Sequence, residues 1–168
     1  MAASGVGPAE HDADSALTEE APTSLAFVQA AAMSNLYEIA AANIALDKAE
    51  AGSVRDFAQM MVTDHSKALE TLEDAVGSSG QTLALPINLD ADHQAKVDIL
   101  QSLQGAAFDR EYLSQQMTAH REALTLLKAY GGEGEIPELR QFAGGLRRFR
   151  GCIFDRFGGC RRREGLFS

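Results

Sequence analysis

Tryptophan is absent, and proline occurs only four times and cysteine twice in 168 residues. With so few prolines, long helices can run unbroken. Cys152 and Cys160 are spaced neither as CxxC nor with a histidine close by, which excludes a zinc knuckle and a thioredoxin-type redox pair. No run of about 18 apolar residues occurs, so no segment reads as a membrane-spanning helix. Strand-like alternation and solenoid-type repeats are missing too. Neither a phosphate loop, nor a nucleophile arrangement, nor a hydrolase-type carboxylate pair stands out. What remains is a helical chain whose core needs no disulfide and in which enzyme chemistry is not visible.

Hydrophobic residues make up 45% and charged residues 23%, the balance of one globular domain. Residues 146–168 hold seven Arg against Asp155 and Glu164, a local +5, so the net charge of -9 leaves -14 on residues 1–145. A body of that sign repels phosphates and anionic lipid, so nucleic acid is not expected as a partner. Self-association stays open, and no specific partner is indicated. Residues 1–23 lack the basic start and apolar stretch of a secretory signal and read as a flexible acidic leader, which makes the chain as written cytoplasmic. Residues 146–168 carry four of the eight Phe and both Cys among the Arg. They read either as a basic tail or as the product of a shifted reading frame.

Between these ends, residues 24–145 read as an all-α four-helix bundle. A first helix is expected over 24–48, where Ala, Leu and Ile run without Gly or Pro. Gly52 breaks it, and Ser53 with Asp56 resembles a capping box that opens a second helix, to about residue 76. Asp90 caps a short crossover helix through residue 103, and a third long helix follows over about 106–130, ending at Gly131 and Gly132 in a left-handed turn. Pro137 suits the first turn of a fourth helix, truncated or aberrant where the Arg-rich segment begins. Two short links with one long crossover between them give ferritin-like connectivity.

The second helix has a seam of Val54, Ala58, Met61, His65, Ala68, Leu72 and Ala75, which turns His65 inward. In the third, Leu113, Met117, His120, Leu124 and Leu127 do the same for His120. Glu38 falls on the inner repeat Phe27, Ala31, Ser34, Glu38, Ala41, Ala45 of the first helix. The first turn is centred near 51.5, and Glu38 and His65 each lie 13.5 residues from it, hence at one level of an antiparallel pair. Glu38, His65 and His120 are therefore candidate ligands for one Fe, Mn or Zn ion, with Asp64 or Tyr112 in support. The Glu-x-x-His pairs of dinuclear sites are missing, since Val62 and Met117 precede the two histidines. The same three residues equally fit a buried hydrogen-bonded set that fixes helix register. His93 and His11 read as structural or solvated, the Met60, Met61 pair as core filler, and Asp109 as a favourable charge at its own helix N-terminus.

The segments FVQAAAMSNLYEIAAANIALDKA, VRDFAQMMVTDHSKAL, LDADHQAKVDIL and GAAFDREYLSQQMTAH resemble, in order and spacing, the bacterial domain-of-unknown-function family 4142, classed with ferritin-like folds. The most specific pieces are Phe-Ala-x-x-Met-x-x-Asp-His at Phe57 to His65 and the Phe-Asp-x-x-Tyr to His run at Phe108 to His120. The resemblance implies a helical bundle of the bacterial periplasm or cell envelope, with polar residues kept at Glu38, His65 and His120. Three functions compete: a non-enzymatic bundle binding one transition-metal ion, a metal-dependent redox or iron-handling protein, and a purely structural interaction module.

Overall fold

The structure, a computed structural model, describes residues 21–156, with side chains through Leu146. Most of the expected leader, His11 included, and the side chains of the Arg-rich segment lie outside the described residues. Five helices form: α1 (Ser24–Lys48), α2 (Gly52–Ser78), α3 (Ala91–Ser102), α4 (Gly105–Glu133) and α5 (Pro137–Arg156). No strand occurs among the described residues, and the chain is an all-α helical bundle.

Local chemistry sets most boundaries. Thr23 Oγ1 accepts from the N–H of Ala26 at 3.3 Å and opens α1, and Asp90 Oδ1 accepts from the N–H of His93 at 2.8 Å and opens α3. Gly80, at φ 67°, takes the left-handed position after α2. Two expected signals act otherwise. The Ser53 and Asp56 capping box does not form, because α2 starts at Gly52 behind Ala51, with no side-chain cap of its own. The carboxylate of Asp109 on α4 takes that role, accepting from the N–H groups of Glu50 at 3.0 Å and Ala51 at 2.9 Å. Asp109 thus serves the start of α2, and its expected role at the start of its own helix is superseded.

Gly131 and Gly132 do not terminate α4 either. Neither has positive φ, and the helix runs on to Glu133. Helix α5 begins at Pro137, as its fixed φ favours, and passes through Gly145 to Arg156, so the change of composition there is no break in the backbone.

Helix α1 packs on α2 and α4, and α5 on α4 and α2, closing a ring of four; α3 lies across α1 and α4. Ser24 meets Tyr130, Tyr37 meets Gln115 at 2.5 Å, and Ala51 meets Asp109, so α1 and α4 run antiparallel. The buried residues divide into two apolar clusters. One gathers Ala41, Ala42, Met61, Leu100, Phe108 and Tyr112. The other gathers Phe27, Val28, Leu72, Leu127, Tyr130 and Leu139. Each fully buried Phe or Leu stabilises the fold by roughly 1.5 to 3 kcal/mol. Glu38, His65 and His120 belong to neither cluster, although all three are buried.

Candidate metal centre

Helix α2 keeps its expected phase: Val54, Ala58, Met61, His65, Ala68 and Leu72 are buried, with Val76 in place of Ala75. Helix α4 does not. Met117 is 44% exposed, and the inward stripe is Phe108, Tyr112, Gln116, Ala119, His120, Ala123 and Leu127. His120 nonetheless points inward, being 2% exposed, opposite His65 at 3% and Glu38 at 0%.

The three side chains meet. Glu38 Oε2 lies 2.6 Å from His65 Nδ1, and Glu38 Oε1 lies 3.5 Å from His120 Nδ1. The imidazole rings stand edge to face, 5.6 Å between centroids and 88° apart. One ligating atom from each residue falls within 4.8 Å of the others.

Neighbouring hydrogen bonds orient both rings. His120 Nδ1 is 2.8 Å from the carbonyl of Gln116. A carbonyl only accepts, so Nδ1 carries a proton. Asn35 Nδ2 donates to the carbonyl of Ala31 at 2.8 Å, which turns Asn35 Oδ1 toward His65 Nδ1 at 2.9 Å. His65 Nδ1 therefore faces two acceptors, Asn35 and Glu38, and donates to them. Imidazoles steadied by a carbonyl or carboxylate on one nitrogen are the arrangement that metal-binding histidines adopt.

Of the two supporting candidates, Asp64 is half-buried and outside the converging set. Tyr112 is fully buried, its ring 6.0 Å from that of Phe57 and 6.1 Å from that of Phe108. Burial, and then the Glu38 carboxylate, push its ionisation far above the usual phenol range. Tyr37 shifts in the same direction for the same two leading reasons. Both phenols therefore stay protonated around Glu38.

Asn35 and Gln116 complete this polar layer, and sequence reading passed over both. Spacing could have found Asn35, since it lies three residues before Glu38 on one helical face. His93 plays a local part: its Nδ1 is 2.7 Å from Asp90 at the start of α3, and its ring is 5.2 Å from that of Tyr37. Met61 fills the core at 0% exposure.

None of the helices within the described residues is long and apolar enough to cross a membrane. No curated protein matches the chain. Among solved structures it is similar to CopM in the Cu(II)-bound form, with a TM-score of 0.65 and 18% identity over 81% of this chain and 93% of that one, a likeness of fold. The family described as "Domain of unknown function (DUF4142)" matches residues 7–148, most of the sequence, and the chain belongs to that family.

Proposed function

We propose that this protein binds one transition-metal ion between α1, α2 and α4, with Glu38, His65 and His120 as its ligands. The observation that carries this reading is the convergence of a carboxylate and two imidazoles to within 4.8 Å in the interior of a helical bundle. Removing such groups from water is unfavourable, and a bound cation offsets that penalty directly. Two imidazoles with one carboxylate suit iron, manganese and zinc, and equally copper, which heads the order of divalent affinities. CopM, similar in fold, is known in a Cu(II)-bound form, which brings copper into the test.

Loading requires a small rearrangement. An ion about 2 Å from each of two tetrahedral ligand atoms holds them about 3.3 Å apart. The 2.6 Å contact between His65 Nδ1 and Glu38 Oε2 is shorter than that, so those two atoms do not both ligate the ion as they stand: either His65 offers Nε2 while Glu38 turns from this contact, or the two side chains separate.

A second reading has its own support. That 2.6 Å contact is already a complete hydrogen bond, sufficient to set the register of α1 against α2 with no ion present. Elemental mass spectrometry of the purified chain, produced with iron, manganese, zinc or copper, separates the two. Near one equivalent of metal, lost in the His65→Ala, His120→Ala double variant, is the expected result. Failure to retain any of the four metals sinks the metal reading and leaves the structural one. The family resemblance also supports a place in the bacterial envelope, which cell fractionation tests.

A further inference from the structure

Tyr112, Gln116 and His120 are spaced four residues apart, so they form one stripe on the buried face of α4. The backbone carbonyl of Gln116 holds His120 Nδ1 at 2.8 Å. Its side chain is a different matter. Gln116 is 2% exposed, and neither Nε2 nor Oε1 has a hydrogen-bond partner among the described residues. The hydroxyl of Tyr112, at 0% exposure, has none either. Buried polar atoms are almost always paired, and each one left alone carries its full desolvation penalty. Three such atoms on one stripe beside the metal candidates call for a polar occupant.

We infer that Gln116 and Tyr112 hold a water molecule bound to the metal ion, an extension that rests on the metal-binding reading above. A bare cation does not satisfy these groups, because the phenol O–H is a donor and needs a lone pair. Water on the ion supplies one. Its oxygen gives one lone pair to the metal and accepts from Tyr112 with the other, and one of its protons goes to Gln116 Oε1. Protein ligands from α1, α2 and α4 would then share the ion with a solvent molecule steadied from α4 alone.

The full-length chain and its Gln116→Leu and Tyr112→Phe variants test this, by chelator-competition titration with Cu(II) and with Zn(II), and by thermal melting without metal. Pulsed electron paramagnetic resonance of the Cu(II) forms adds the exchangeable-proton couplings of bound water. Both variants are expected to melt at or above the wild-type temperature when metal-free, because each removes an unpaired buried group. Their metal affinities are expected to fall by about 10- to 100-fold, with the couplings weakened or lost. Affinities within twofold of wild type, or unchanged couplings, overturn the inference while leaving the three-ligand site intact. Metal-free melting well below wild type overturns it as well, by showing that the protein itself supplies the partners. A wild-type chain that takes up neither metal removes the metal reading and this extension together, and the wild-type titration tells the two failures apart.

Discussion

Asp109 Oδ2 accepts a hydrogen bond of 2.9 Å from the N–H of Ala51, 58 residues earlier in the chain. Its other oxygen takes the N–H of Glu50 at 3.0 Å, so one carboxylate satisfies two donors at the turn from α1 into α2. Helix α2 has no side-chain cap of its own, and Asp109, 9% exposed, supplies the charge that its N-terminus favours. Replacing Asp109 with Ala leaves both donors orphaned and should destabilise the fold by about 2 kcal/mol. Asn, which keeps one acceptor oxygen, should lose less. Urea denaturation reads the difference, and an Asp109→Ala variant as stable as wild type would remove this contact as the anchor of α4 to the first hairpin.

Gly132 and Gly134 lie two residues apart and should respond to alanine with opposite signs. Gly132 is inside α4, with nothing within 4 Å of where a Cβ would stand, so Gly132→Ala should gain about 0.5 to 1 kcal/mol. A Cβ at Gly134 would overlap the ring of Tyr130. That ring cannot move aside easily. It stacks on Phe27 at 4.0 Å, and its hydroxyl lies 2.7 Å from Ser24 Oγ. Gly134→Ala should therefore lose about 1 to 3 kcal/mol. Melting temperatures that shift the same way in both variants would refute the assignment of Gly134 to close packing.

The helices and their order are legible in the sequence because Ala, Leu and Ile fill long stretches that Gly and Pro only punctuate. His65 is legible too, since every neighbour on its stripe is apolar. Helix α4 misleads for a physical reason: Leu113, Met117 and Leu124 outweigh Tyr112 and Gln116 in any hydrophobic count, yet the second set is buried. Polar residues buried inside a core contribute nothing to periodicity. The same holds for Asn35, and for Asp109, whose partners are backbone groups on the far side of a turn.

Helix α3 should carry a local acid sensitivity. The backbone N–H of His93, then its side chain, hold the Asp90 carboxyl below its usual range. A group whose folded pKa is depressed adds stability that is present above its unfolded value, about 4, and lost as pH falls through the lower folded value. Amide exchange in α3 should therefore quicken, relative to α1 and α2, as pH drops below about 4. Asp90→Asn keeps an acceptor that cannot ionise and should flatten that dependence. A profile equally steep in the Asn variant would place the sensitivity elsewhere.

The polar layer itself makes the sharpest demand on stability. Glu38 and His65 are both buried and touch at 2.6 Å, so removing either leaves the other without its nearest partner in a low-dielectric interior. Glu38→Leu and His65→Leu should each destabilise the metal-free protein by about 3 kcal/mol. The double variant should lose far less than the sum, because two apolar side chains of similar size pack against the clusters on either side. Denaturation of the four proteins in chelator gives the coupling energy directly. Losses that simply add would mean the contact at 2.6 Å contributes nothing to register, and the layer would then owe its place in the core to what it binds.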